Sequence, residues 1–345
     1  MSVTALTEAD QARLLGAAQA GDQHAFETLV VAAHRRALHL HCYRMLGSLD
    51  DADEATQETL LLAWRGLAGY QQRAPLRHWL YRIATTTCLK IQASRRRQPV
   101  SVAELTYLSP YPDRLLDELP ATDDDPAAHA ERRESVRLAF IVALQLLPAT
   151  QRAVLILREV LVWSAAEVAD LLDTSVAAVN SQLQRARATV RSTGAGAAIG
   201  GGTGSERLDR RDREVVERFV AAWQRVDVDA LAALLAEDAV LRMPPERAEF
   251  AGRDAIAHFF ATVPSGGRLD QIQLAVTRAN GQPCLAAYLA TDLATDLATD
   301  LAAHGMPQPY GVMVLTVTGG EIAEINGFPD PALFPRFGLS RSNPG

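Results

Sequence analysis

Apolar residues recur at helical spacing through residues 6–97 and 131–191, and beyond about residue 236 the spacing shifts to the alternation of strands. The most informative stretch is WSAAEVADLLDTSVAAVNSQLQRARATVR, residues 163–191. Ser164 followed by Glu167 forms a capping box that opens a short helix with Val168, Leu171 and Leu172 on one face. Asp173-Thr174 breaks that helix, and Ser175 can cap the next. In this second helix Val176, Val179, Leu183, Ala186 and Val190 fall on one stripe. The opposite face offers Asn180, Ser181, Gln184, Arg185 and Arg187, which can hydrogen-bond base edges or pair with phosphates. The pattern is that of a helix-turn-helix with a groove-reading second helix, or of an ordinary amphipathic hairpin.

The same reading divides the chain. Residues 6–97 are densely helical. Residues 98–130 hold Pro99, Pro110, Pro112, Pro120 and Pro126 with the acidic run Asp123–Asp125, and read as a linker, extended in parts. Helical periodicity returns over 131–191, and the Gly-rich stretch within 192–206 reads as a tether. From 207 a long and a short helix precede strand-like runs at Ala239–Met243, Leu269–Thr277, Cys284–Leu289, Val312–Thr318 and Ile322–Gly327. That order predicts an α+β domain with a curved antiparallel sheet over 207–338. Within it LATDLATDLATDL (289–301) repeats a four-residue unit and reads as a replicated loop insertion.

Charge changes the picture only locally. The net charge of −7 hides segments of +3 (1–97), −6 (98–130), +2 (131–191) and −6 (192–345), so two mildly basic blocks remain compatible with DNA. Three widely spaced cysteines argue against a disulfide framework, and no apolar run is long enough to span a membrane. With no export signal pattern at the start of the chain, the expected compartment is the cytoplasm. His34, His39, His41 and Cys42 lie close together but lack a clean ligand spacing, so no metal is expected; nor is there a P-loop or nucleophile-elbow motif.

In the first block DDADEATQETLLLAWR (50–65) starts acidic and can bury Leu60, Leu61 and Trp64. The loop GYQQRAPLRH (69–78) leads into the basic-aromatic helix WLYRIATTTCLKIQASRRR (79–97), whose Trp79/Ile83 side reads as core. These segments resemble the promoter-melting domain of extracytoplasmic-function sigma factors of the sigma-70 family, and LQLLPATQRAVLILREV onward (144–191) resembles their promoter-binding domain. The resemblance implies two all-α sigma domains, region 2 over 6–97 and region 4 over 131–191. It implies that Asp53, Glu54, Gln57 and Trp64 dock on the β′ clamp helices of core RNA polymerase, with a further contact to the β subunit. Tyr70, Gln71, Arg73, Arg77, His78, Trp79 and Arg82 would hold the −10 element of promoter DNA, and Asn180, Ser181, Gln184 and Arg185 would read the −35 element. Arg187, with Arg191, would sit on phosphates. The family often has basic residues where Gln182 and Gln184 stand.

Residues 211–245, 252–260 and 311–339 resemble the SnoaL-like fold, a helix-capped conical barrel, and YLSPYPDRLLDELP (107–120) is similar to the linker of SigG-like sigma factors. SigG-like and SigJ-like sigma factors carry such a domain at their C-terminus, which implies modulation of sigma activity in cis without need of a separate anti-sigma factor; no cofactor is expected. Pro110–Asp113 and 328–339 are the pieces expected to make the regulatory contact. Trp223, Asp238, Met243, His258 and Phe259 are expected to line a pocket suited to a small ligand, with Asp238 in a turn or at a helix end. Two rival functions remain: a one-component ligand-responsive DNA-binding regulator, and a SnoaL-type enzyme, dependent on Asp238 or His258, fused to a DNA-binding module.

Overall fold

A computed structural model describes residues 7–95, 108–117, 135–192, 210–244, 248–290 and 307–340. The acidic run at 123–125, the Gly-rich tether, Arg96, Arg97 and nearly all of the ATDL repeat lie outside the described residues. The chain forms two compact units. One contains residues 1–100, 118–124 and 139–201; the other contains 101–117, 125–138 and 202–345. The described part of the expected linker, 108–117, belongs to the second unit.

The first unit is helical. Helix α1 (Glu8–Gln19) is capped by Thr7, and α2 (Gln23–Phe26) by Asp22. α2 runs through a π-helical turn at Glu27–Ala32 into α3 (Ala33–Leu46), which ends at the left-handed Gly47. Ser48 caps α4 (Leu49–Gly66), and a short 3-10 turn at Leu67–Gly69 precedes α5 (Leu76–Arg95). The buried face of α4 is made of Leu49, Ala52, Ala55, Thr56, Thr59 and Ala63. Leu61 and Trp64, expected to bury, are instead exposed, because small residues let α3 approach and push the large ones outward. On α5 the core side is Leu80, Tyr81, Ala84, Thr85 and Cys88, whereas Trp79 and Ile83 are only half-buried.

The same unit holds α7 (Leu138–Gln145) from Ala139 on, α8 (Ala149–Leu155) continued by a π turn at Ile156–Val160, α9 (Ala165–Leu171) and α10 (Val176–Ser192). Buried Arg152, on α8, satisfies all five of its guanidinium N–H groups with acceptors at the ends of two other helices. Nε donates to Leu144 O (2.7 Å), Nη2 to Gln145 O (2.9 Å) and Leu147 O (3.1 Å), and Nη1 to Gln145 Oε1 and Met45 O. Met45 lies in the last turn of α3, so one cation ties the second helical group to the first. A Cβ at Gly47 would come within 2.9 Å of Gln145 Cδ, so glycine serves here both the left-handed turn and the close approach.

In the second unit α11 (Arg210–Gln224) buries Val215, Val216, Phe219, Ala222 and Trp223, and α12 (Val228–Ala232) follows under an Asp227 cap. Strands β1 (Leu235–Arg242), β2 (Glu249–Ala251), β3 (Ile272–Ala279), β4 (Gln282–Leu289), β5 (Gln308–Thr318) and β6 (Glu321–Phe328) form one sheet in the order β2-β1-β6-β5-β4-β3. The sheet is not wholly antiparallel as expected: β1 pairs β6 in parallel, because a crossover of helix and hairpins returns the chain beside it. A register shift between Leu235 and Val240 puts Asp238 in an irregular stretch of β1 with its side chain exposed, not in a turn or at a helix end. Helix α13 (Arg253–Thr262) covers one face through Ile256, Phe259 and Phe260, and the short α14 (Leu333–Phe337) closes the described chain.

Of the histidines near Cys42, His41 is fully buried, with Nε2 2.9 Å from Thr85 Oγ1. Burial holds its pKa down to about 3, and burial also lowers that of His34. Among the described residues no His, Cys, Asp and Glu group is arranged to hold a metal. His41 is neutral in the native state while its unfolded counterpart protonates near 6.5. Native stability is therefore lost as pH falls below about 6.5, at up to ~1.4 kcal/mol per pH unit for this group. Urea unfolding between pH 7.5 and 4.5 should show that loss, and a His41→Gln variant should flatten it.

Candidate nucleic-acid interface and linker clasp

The helix-turn-helix is built as its sequence indicates. Ser164 Oγ accepts from Glu167 N (3.2 Å) while Ser164 N donates to Glu167 Oε2 (2.7 Å), closing the capping box at the start of α9. That hydrogen bonding holds the Glu167 carboxyl below its ordinary pKa. Ser175 Oγ accepts from Ala178 N (3.1 Å) at the start of α10. Val179, Leu183, Ala186 and Val190 are buried, whereas Val176, in the first turn of the helix, is exposed. Asn180, Ser181, Gln184 and Arg185 all face solvent on the other side. Arg187 is also exposed, and pairs with Glu159 (2.5 Å).

On the N-terminal helices Glu54, Gln57 and Trp64 lie exposed on α4, while Asp53 is half-buried and pairs with His39 Nε2 at 3.1 Å. Trp64 rests edge-on against Phe26, ring centroids 5.0 Å apart. Tyr70 stacks obliquely on Trp79 (5.2 Å), and its hydroxyl donates to Ala74 O (2.6 Å), which folds the loop before α5. Gln71, Arg73, Arg77 and Arg82 project to solvent, with Arg77 over the Tyr81 ring.

Contacts within this unit join the two helical groups. Trp163 is buried and stacks on His78 at 4.1 Å, with Tyr81 edge-on to it at 5.8 Å. His78 Nδ1 lies 3.6 Å from Glu167 Oε1, and Arg82 pairs with Asp170 at 3.5 Å. The Arg82–Asp170 pair is largely exposed and contributes less than ~1 kcal/mol, so the aromatic stack carries the contact.

The second unit contains a clasp on the segment that links the helical groups. β3 and β4 are joined by the two-residue turn Asn280-Gly281, both with positive φ (56° and 70°), the conformation Asn-Gly adopts most readily. Asn280 is fully buried. Its N donates to Tyr111 O (2.8 Å), its Oδ1 accepts from Tyr111 N (2.8 Å) and its Nδ2 donates to Val136 O (2.6 Å). Asp113 accepts from Gly281 N (2.8 Å) and pairs with Arg278 Nε (2.9 Å). Gln282 Oε1 accepts from Leu138 N (2.9 Å). Asp113 also opens the short helix α6 (Asp113–Asp117), and Arg114 donates from Nε to Arg336 O and from Nη2 to Pro335 O (3.2 Å) at the end of α14. Of the two pieces expected to make the regulatory contact, Pro110–Asp113 reaches the β3–β4 turn and Arg114 reaches 335–336.

Residues 30–98 match the Sigma-70 region 2 family, residues 137–190 the Sigma-70, region 4 family, and residues 216–325 the SnoaL-like domain. The chain is 38% identical over 334 residues to the ECF RNA polymerase sigma factor SigG of Mycobacterium tuberculosis, spanning 90% of this chain and 82% of SigG. The chain belongs to the extracytoplasmic-function sigma factors. SigM of the same organism is 30% identical over 181 residues, covering 52% of this chain and 83% of SigM. The crystal structure of M. tuberculosis SigJ has the same fold, with TM-score 0.58 and 23% identity over 90% of this chain and 99% of that one. As a sigma factor the protein is a transcription initiation factor and not an enzyme, and it works with core RNA polymerase on promoter DNA. No described helix is long and apolar enough to cross a membrane.

Of the five expected pocket residues of this sigma factor, Trp223, Met243 and Phe259 line a cavity in the SnoaL-like domain. Asp238 and His258 do not: both are exposed, the first in the irregular part of β1, the second on the solvent side of α13. Sequence reasoning missed Asn280, Arg278, Gln282 and Arg152. The Asn-Gly dipeptide between two strand-like runs signals the hairpin, but nothing local signals that its amide is bonded to a segment some 170 residues away. Replacing Asn280 with Ala strands buried partners on both linker segments and puts an unfavourable residue at positive φ. It should cost ~2–4 kcal/mol in the urea unfolding of the full chain and speed proteolytic cleavage between 111 and 136.

Proposed function

We propose that this sigma factor recruits core RNA polymerase through the exposed face of α4, where Glu54, Gln57 and Trp64 stand, with Asp53 at its edge. Extrusion of a −10 base costs a few kcal/mol, and Tyr70, Gln71, Arg73, Arg77, His78, Trp79 and Arg82 supply stacking surface and charge to compensate. Asn180, Ser181, Gln184 and Arg185 read the −35 element from the major groove, and Arg187 exchanges Glu159 for a phosphate. The observation that carries this reading is the solvent-facing polar stripe on α10, set on a capped helix-turn-helix inside a chain of this family. Such work belongs in the cytoplasm.

The SnoaL-like domain controls the factor in cis by grasping the linker. A clasp that fixes 111–114 and 136–138 restricts how the two promoter-binding groups are held relative to each other, and a weak bias suffices because the domain is tethered to them. The stack of His78 on Trp163 and the Arg82–Asp170 pair occupy groups assigned here to the −10 element, so promoter engagement requires them to part.

Run-off transcription with core RNA polymerase on a promoter library tests both points. Promoter-dependent transcripts are expected from the full chain, with an altered yield from a chain ending near Thr193 and from Asn280→Ala. The direction of that change gives the sign of control. Silence from all three, with no binding to core enzyme, would overturn the sigma mechanism. An Asp170→Ala variant, which removes the Arg82 pair and leaves the Glu167 capping box intact, should bind promoter DNA with core enzyme up to a few-fold more tightly; unchanged affinity would show that this pair does not restrain the factor.

A further inference from the structure

The loop assigned above to the −10 element is gripped by a residue of the first helix. Gln19, the last residue of α1, is half-buried. Its side-chain amide donates from Nε2 to Tyr70 O (2.9 Å) and to Leu67 O (3.2 Å), so that both of its hydrogens are used. Leu67 opens the 3-10 turn that follows α4, and Tyr70 is the residue at which the chain leaves that turn for the loop. Carbonyls at and beyond a helix end take their donors from elsewhere, and here the donor comes from 51 residues before Tyr70. Gln19 lies outside residues 30–98, the part of the chain that matches region 2.

The loop needs such a hold. Past Tyr70 it is turned by Gln72, a non-glycine residue at φ 53°. A backbone in that region persists only where its surroundings impose it. At the far end Pro75 O accepts from His78 N (2.9 Å) and Trp79 N (3.2 Å), which fastens the loop to the start of α5. Across the middle the Tyr70 hydroxyl bonds Ala74 O. Gln19 supplies the hold at the near end. Two acceptors on one amide group fix an orientation as well as a distance. The carbonyl plane of Tyr70 is thereby set, and with it the direction in which the Tyr70 ring leaves the backbone toward Trp79, 5.2 Å away between centroids.

We infer that Gln19 is a positioning residue for −10 recognition. It acts through the backbone of Tyr70, holding the Tyr70–Trp79 pair and the Gln71–Arg73 tip in the arrangement that receives an extruded base. The inference rests on the assignment of Tyr70, Gln71, Arg73 and Trp79 to the −10 element made above.

Run-off transcription by the full-length protein with core RNA polymerase compares three templates. One is a promoter selected from the library, and the others carry a single replaced base in the −10 or the −35 element. Each replaced base is one that lowers the wild-type yield about tenfold or more. Gln19→Met and Gln19→Glu keep the length of the side chain and remove its donors. In both, discrimination at the −10 base should fall about threefold or more, while discrimination at the −35 base stays within about twofold of wild type. A loss of folded protein lowers all yields in proportion and cancels in these ratios. Tyr70→Ala is the reference. If Tyr70→Ala leaves −10 discrimination intact, the underlying assignment falls and the inference with it. If Tyr70→Ala lowers it and both Gln19 variants keep the wild-type ratio, the inference alone is overturned. An equal fall at the −10 and −35 bases would also overturn it, as the mark of a residue that supports the whole unit rather than one loop.

Discussion

The helical unit depends on a buried cation. Taking the Arg152 guanidinium out of water is costly, and the cost is offset only because every N–H meets an oxygen. Four of those oxygens are backbone carbonyls at or just beyond helix ends, where partial negative charge gathers. One side chain thereby satisfies the ends of α7 and α3 together and gives two groups of helices a shared anchor. Lysine, with three donors and a compact hydrated charge, cannot match that fan of acceptors.

Around that anchor the chemistry is divided by surface type. The helix-turn-helix shows solvent a polar and basic face, α4 an acidic one with Trp64, and the SnoaL-like domain encloses an apolar space. The net charge of −7 says little about any of these, because each surface acts over roughly a Debye length of ~8–10 Å. The masking of His78 by Trp163 also shows how an aromatic ring suited to a nucleobase is equally suited to a neighbouring indole.

Much of this was legible in the chain. Capping signals are local, so Ser164, Glu167 and Ser175 revealed the helix-turn-helix, and its buried stripe failed only at Val176, near the start of the helix. Class and order of the C-terminal elements were legible for the same reason. Burial on α4 was misread because hydrophobicity favoured Leu61 and Trp64, whereas close helix packing favours Ala52, Ala55 and Ala63. The parallel pairing of β1 with β6, the irregular β1 that turns Asp238 outward and the partners of Asn280 and Arg152 all depend on contacts between segments far apart in sequence. No periodicity carries that information. The candidate site was accordingly legible as helix faces and half-legible as a pocket, and its clasp was visible only as a suspicion attached to Pro110–Asp113.

Asn280 holds one linker segment at Tyr111 and a second at Val136, and this sets a length. Between the end of α5 at Arg95 and the start of α7 at Leu138 the chain has ~43 residues, enough to span at most ~150 Å when fully drawn out. With both grips closed only ~18 of them, before Tyr111 and after Val136, lie outside the clasp, a contour of at most ~60 Å to add to the fixed separation of the two grips. In the cis control proposed above, the hairpin works as a buckle on a strap: it touches neither proposed DNA-reading surface, yet it limits how far apart on a duplex the two can be set down.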